Sequence, residues 1–96
     1  MFRKWVTRRV TLTHPAGLHA RPSRAVALTV RRFQAKVQIR CGGQVVDAGD
    51  ILQLLSLGAT VGSELVLSAK GPDAQQVLDE LARLFADNFG LSAEFV

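Results

Sequence analysis

Apolar and polar positions along this chain change period several times, and each change marks an element. Val6, Val10 and Leu12, with Thr7, Thr11 and Thr13 among them, read as a first β-strand. His14-Pro15-Ala16-Gly17 ends it, since Pro15 and Gly17 are turn formers. Pro22, Ala25, Val26, Thr29, Val30 and Phe33 then recur at i, i+3, i+4, i+7, i+8 and i+11, one stripe of a helix. Pro22 suits its first turn, where a missing N–H has no intrahelical partner to lose. Arg24, Arg31 and Arg32 fall off the stripe. Val37, Ile39 and Cys41 alternate with Lys36, Gln38 and Arg40 as a half-buried strand. Gly42-Gly43 supplies a two-residue hairpin loop, and Gln44 to Ala48 returns as the partner strand. Asp50-Ile51-Leu52-Gln53 reads as a helix start, with Asp50 accepting first-turn amides and Gln53 reaching back. Gly58 and Gly62 keep that helix short. Leu65, Leu67 and Ala69 alternate with Glu64, Val66 and Ser68 as a fourth strand. Gly71-Pro72-Asp73 turns into a last helix buried along Ala74, Val77, Leu78, Leu81, Leu84 and Phe85, with Gly90 as its stop signal.

The order is β-α-β-β-α-β-α, without internal repeat, linker or low-complexity stretch. It predicts an α+β fold, one antiparallel sheet with helices on one face and the other face open to solvent. The 96 residues fit a single domain over 1–96, with 1–5 and 91–96 as loose tails. A chain this size buries roughly 60–65% of its unfolded surface. That makes one core but not a core plus a deep substrate pocket, so a surface site suits it better than an elaborate enzyme centre. The apolar content of 48% and charged content of 21% are ordinary for a folded protein. No apolar run approaches the roughly 20 residues of a membrane helix, and the start has no apolar signal-peptide core. The expected compartment is therefore cytoplasmic, and the single Cys41 agrees with a reducing one. A net charge of +4 leaves nucleic acid, anionic lipid or an acidic protein open as partners, beside a plain solvated surface. No zinc-ligand spacing, RNA-binding aromatic signature or basic helix face supports nucleic acid, and no metal or cofactor is implied.

The chemistry concentrates in Gly17-Leu18-His19-Ala20-Arg21-Pro22. His19 stands where strand gives way to helix, and helix N-terminal amides form a seat for an anion. Arg21 adds a planar fork of donors for phosphate oxygens. An imidazole is a competent nucleophile near neutrality. Nucleophile, anion seat and cation within one turn suit phosphoryl transfer, which depends on positioning and charge stabilisation. Nothing in the segment is built to activate water, and a carrier needs that absence. The alternative is plain: a histidine at a helix start also serves as a cap or turn residue. His14 is a candidate second site histidine, and the sequence offers no reason to prefer that to a turn role.

These six residues resemble the active-site motif of the HPr family, the histidine phosphocarriers of bacterial phosphoenolpyruvate-dependent sugar phosphotransferase systems. Ile51-Leu-Gln-Leu-Leu-Ser-Leu-Gly58 resembles that family's second helix, and the element order agrees from Val6 to Phe89. The resemblance implies an open-faced two-layer sandwich, with a four-stranded antiparallel sheet of order 1-4-2-3 and three helices on one face. It implies that His19 takes a phosphoryl group on Nδ1, with Arg21 beside it. The donor would be phosphorylated enzyme I and the acceptor an enzyme IIA domain, the chain being a stoichiometric carrier rather than an enzyme. Ala20, Arg24, Ile51, Leu52 and Leu55 would form the docking surface. Core packing is the competing role for the apolar ones, and Leu54 is expected to face inward.

Two positions depart from the family. Many members carry a kinase-phosphorylated serine at the start of the second helix; Asp50 stands there instead. Serine-kinase control is impossible at that position, and Asp50 is either a helix cap or a fixed mimic of the phosphorylated form. Arg24 replaces a small or neutral residue, and either adds positive potential for an acidic partner or faces solvent. Other readings are a regulatory member of the nitrogen-related branch and a pure protein-interaction module. A monomer is the expected state, with regulatory proteins as further partners.

Overall fold

The structure, a computed structural model, describes residues 4–91. Strands β1 (Val6–Thr11), β2 (Lys36–Cys41), β3 (Gln44–Asp47) and β4 (Glu64–Lys70) alternate with helices α1 (Ala20–Arg31), α2 (Ile51–Ser56) and α3 (Ala74–Ala86), and a 3₁₀ turn, Asn88–Gly90, follows. The sheet is antiparallel in the order β1-β4-β2-β3, as the resemblance implied.

Register puts the alternating apolar positions on one face. Val37 pairs with Ala69 and Ile39 with both Leu67 and Val46. All five are buried beneath the helices. The alternate residues Gln38, Arg40, Val66 and Ser68 lie on the open face. A pleated strand sends successive side chains to opposite faces, so the period-two pattern determines which face is covered.

Helix α1 buries a wider arc than its predicted stripe. Pro22, Val26, Thr29 and Val30 are buried as expected, and Ser23 and Ala27 join them. The helix packs against α2 and α3 as well as lying over the sheet, so small residues beside the stripe are also covered. The Ser23 hydroxyl donates to the Leu18 carbonyl at 3.4 Å, which gives that buried oxygen a partner. Phe33, the last stripe position, lies beyond the helix end. Its amide closes a tight turn onto the Val30 carbonyl.

Helix α3 buries Ala74, Val77, Leu78, Leu81 and Phe85, while Leu84 is half-buried. It stops at Ala86, before Gly90, because Asn88 and Phe89 turn to positive φ, 48° and 61°. A bulky side chain there costs about 1–2 kcal/mol. Burial of the Phe89 ring, edge-on to Phe85 at 4.8 Å, is worth about 2–3 kcal/mol and offsets it. The Thr13 hydroxyl donates to Asn88 Oδ1 at 2.6 Å and ties this turn to the loop after β1.

Asp73 precedes α3 but does not cap it. Its carboxylate accepts the amides of Gln34 and Ala35 at 2.9 and 2.8 Å, closing the α1–β2 connection. Of the expected tails, residues 1–3 and 92–96 lie outside the described residues. Trp5 sits under the Lys70 ammonium, 4.8 Å from its ring centre.

Two loops meet at one end of the sheet. Leu12 exchanges backbone hydrogen bonds with the loop before β4, its amide to Ser63 and its carbonyl from Gly62. The Leu18 amide donates to the Ala59 carbonyl at 3.0 Å. Gly17 lies between them at φ +74°, and a Cβ there would stand 2.6 Å from the Ala59 oxygen. Glycine is required twice over, for its dihedral and for the close approach. Gly17→Ala is expected to lower the unfolding free energy by about 2 kcal/mol, a shift in urea midpoint at unchanged slope. Equal midpoints for the two proteins would refute this account of the loop junction.

Candidate phosphate-accepting site

The loop junction delivers His19 to the first position before α1. Its backbone is extended, φ −90° and ψ −164°, and its carbonyl accepts the Ser23 amide at 2.9 Å. Its side chain makes no capping hydrogen bond, so the cap alternative does not hold. The imidazole is left available for other work.

Helix starts expose amides that lack carbonyl partners. In α1 these belong to Ala20 and Arg21, because Pro22, the third residue, has none to offer. No acidic residue occupies the first turn. The positive end of the helix dipole is therefore not neutralised locally. Arg21 is exposed and, like Arg24, forms no salt bridge among the described residues. Two unpartnered helix-start amides and an exposed arginine thus follow His19 directly in the chain.

The His19 ring is half-buried and oriented. Its Nε2 is sealed from solvent and has no hydrogen-bond partner among the described residues. His14 lies behind it, fully buried, with ring centres 5.7 Å apart and planes inclined by 50°. His14 is also a turn residue: its carbonyl accepts the Gly17 amide at 3.0 Å and its Nδ1 the Ala16 amide at 3.2 Å. Sequence reasoning could not choose between these two roles; the structure shows the turn contacts of His14 and brings its ring beside that of His19. Its burial depends on the fold closing over residues 12–19, and local periodicity carries no trace of that.

Helix α2 packs beside α1. Leu54 is fully buried, as expected, while Leu52 is 77% exposed, Leu55 38% exposed and Ile51 half-buried. Ala20 and Arg24 are exposed on α1. Val61, 55% exposed in the loop that meets Gly17 and Leu18, adds apolar surface that the sequence reading did not single out. It stands between Gly58 and Gly62, where no periodic pattern marks it.

Asp50 caps α2. Its carboxylate accepts the Gln53 amide at 3.2 Å and the Gln53 side-chain amide at 3.3 Å. The reach-back expected of Gln53 goes elsewhere on the backbone: its Oε1 accepts the Asp47 amide at 2.9 Å, three residues before the cap. Asp50's own amide already donates to the Asp47 carbonyl. A groove of about 510 Å³ lined by Thr29, Glu80, Arg83, Leu84, Ala86 and Asp87 lies between α1 and α3 and contains neither histidine. Among the described residues no three His, Cys, Asp or Glu side chains gather closely enough to hold a metal ion.

Comparison with known proteins agrees with this geometry. The family model described as the PTS HPr component phosphorylation site matches residues 6–87. A multiphosphoryl transfer protein of Xanthomonas campestris pv. campestris is 45% identical over 71 residues, 74% of this chain, and the match spans 8% of that longer protein. The phosphocarrier protein HPr of Cupriavidus necator is 36% identical over 83 residues, covering 86% of this chain and 93% of that one. Among solved structures, HPr-C-His from Thermoanaerobacter tengcongensis superposes with a TM-score of 0.84 at 30% identity, over 93% of this chain and 98% of its own. Fold, motif and matched span coincide, and the chain belongs to the HPr family of the phosphotransferase system.

Proposed function

We propose that this chain carries a phosphoryl group on Nδ1 of His19, taking it from phosphorylated enzyme I and passing it to an enzyme IIA domain. The observation that carries the reading is the orientation of the His19 ring. Nε2 is sealed inward without a partner among the described residues, and the ring sits at a helix start that it does not cap, two residues before Arg21, which leaves Nδ1 as the nitrogen to react.

The transfer follows from that geometry. The Nδ1 lone pair attacks phosphorus; the N–P bond forms as the donor's bond to phosphorus breaks and its electron pair returns to the donor. The His19 ring keeps its proton on Nε2. The Ala20 and Arg21 amides and the Arg21 guanidinium hold the charged oxygens. Delivery to the acceptor is the same step reversed toward a new nucleophile. No side chain in this arrangement activates water, and the role is that of a stoichiometric carrier. Leu52, Leu55 and Ile51, with Ala20 and Arg24 on the adjoining helix, are the docking surface in this reading. Arg24, unpaired among the described residues, favours acidic partners. The reading is of a cytoplasmic carrier working as one domain and one copy; no helix among the described residues is long and apolar enough to cross a membrane.

Phosphoenolpyruvate and enzyme I should add a single phosphate, read by intact mass, that is labile in acid and stable in base. His19→Ala should add none. Arg21→Ala should slow acceptance by roughly 100-fold or more, as loss of a charge-stabilising donor does. Absence of phosphate with an active cognate enzyme I would sink the carrier reading and favour an interaction module.

The cap geometry separates the two roles of Asp50. A cap is preserved by serine and lost with alanine. Asp50→Ser should leave the rate of acceptance unchanged, and Asp50→Ala should cost about 1 kcal/mol of stability in denaturant titration. Faster acceptance by Asp50→Ser would instead reveal the charge as a brake on docking.

A further inference from the structure

A fully buried histidine is an unusual choice for a turn. His14 needs an acceptor for the Ala16 amide, and its Nδ1 provides one at 3.2 Å. An aspartate would accept the same amide in an Asx turn without burying any N–H donor. The imidazole does bury one. A nitrogen that accepts carries no proton, so the neutral ring has its proton on Nε2. That Nε2 is sealed from solvent and has no partner among the described residues. The fold retains a ring here at the cost of an unsatisfied donor, and the ring's neighbour is His19.

His19 is held in an equally telling way. Its Nε2 is also sealed and unpartnered, so no hydrogen bond among the described residues fixes that side of the ring. Its orientation rests on what packs against it, and His14 does so at 5.7 Å between ring centres. The His14 ring is in turn pinned by Ala16, on the loop that Gly17 and Leu18 clamp to Ala59. The two Nε2 atoms form no hydrogen bond with each other. Such a bond, donated by His14, would place the His19 proton on Nδ1 and remove the lone pair that attacks phosphorus.

We propose that His14 is a positioning residue, a pinned aromatic wall that keeps His19 with Nε2 inward and Nδ1 outward. The inference rests on the reading that Nδ1 of His19 accepts the phosphoryl group. It adds a residue outside the Gly17–Pro22 motif to the determinants of which nitrogen reacts. His14 touches neither phosphate nor partner, and its effect passes entirely through the His19 ring.

Two substitutions separate wall from turn. His14→Asn keeps an oxygen for the Ala16 amide and removes the ring; His14→Phe keeps a ring and removes both nitrogens. The full chain is used, with phosphoenolpyruvate and enzyme I as the phosphoryl source. Three quantities are read: the rate of acceptance, the phosphorylated nitrogen by phosphorus NMR, and the His19 ring nitrogens by two-bond proton–nitrogen correlation. His14→Asn should slow acceptance about tenfold at unchanged KM for enzyme I, since a small misplacement of a reacting atom costs that much or more. It should also move or broaden the His19 ring signals, with part of the phosphate on Nε2. His14→Phe should stay within about twofold of wild type, because it conserves the packing surface. Wild-type rate, nitrogen and ring signals in folded His14→Asn would overturn the proposal. So would a folded His14→Phe as slow as the asparagine variant. Should neither variant fold, the wild-type spectrum decides: His14 must carry its proton on Nε2 and show cross-ring proton contacts to His19, and a proton on Nδ1 refutes the pinning. Wild-type protein that takes no phosphate on His19 removes the carrier reading instead, and the His19 ring signals of the variants still test the wall.

Discussion

The site depends on one backbone hydrogen bond and the contact that permits it. The Leu18 amide reaches the Ala59 carbonyl only because Gly17 has no Cβ to strike that oxygen. The bond gives a buried carbonyl its partner and stops the loop after β1 at a definite point. Leu18 then points into the core, its own carbonyl taken by the Ser23 hydroxyl, and the next residue can begin a helix. That residue is His19. Its ring stands at the protein surface on a backbone anchored on both sides, by a strand before it and a packed helix after it.

Sheet topology explains why the two loops meet. β1 and β2 run parallel with β4 inserted between them, and α1 makes the crossover. β4 must therefore enter where β1 leaves, and the register pairs Thr11 with Glu64 there. The segment ahead of Glu64 is necessarily beside the segment after Thr11. Residues 58–63 and 12–18 are thus brought together by strand order alone. Helix α2, which leads into the first of these segments, is carried to the side of α1, and its exposed Leu52 and Leu55 come with it. His19 and an exposed apolar surface are brought to one end of the fold by one topological fact.

The local physics of this chain was written plainly in its sequence, and the long-range physics was not. Alternation in β2 and β4 predicted which residues face the helices, because a strand's period is set by its own pleat. Leu54 inward, Asp50 as a cap and Gly42-Gly43 as a hairpin follow from equally local rules, and the His19–Arg21 spacing on a helix start was legible for the same reason. Gly71-Pro72-Asp73 was legible as a turn into α3, but nothing local shows that the Asp73 carboxylate serves amides 38 and 39 residues away. Ser23 and Ala27 are buried because α1 meets other helices as well as the sheet. Gly90 overshot the end of α3, since the burial of Phe89 stabilises a left-handed backbone that its own side chain disfavours. His14 is the sharpest case. Its neighbours Pro15 and Gly17 announce a turn, and only the folded loop reveals that the turn's first side chain lies against the histidine five positions on.

A carrier faces a demand that most catalytic sites do not: the group it holds must stay on until a partner arrives and then leave readily. A deep pocket would protect the group but would also bar two successive partners from reaching it. The arrangement around His19 answers with orientation instead of enclosure. His19 Nε2 is turned into the protein, and in the proposed reading the other nitrogen, the free helix amides and Arg21 meet the phosphoryl group. The anion seat is made largely of backbone, which needs no reorganisation when charge arrives or departs. In the proposed reading the same surface serves donor and acceptor alike, and discrimination between them would fall to the exposed residues of α2 and to Arg24, at the margin of the chemistry.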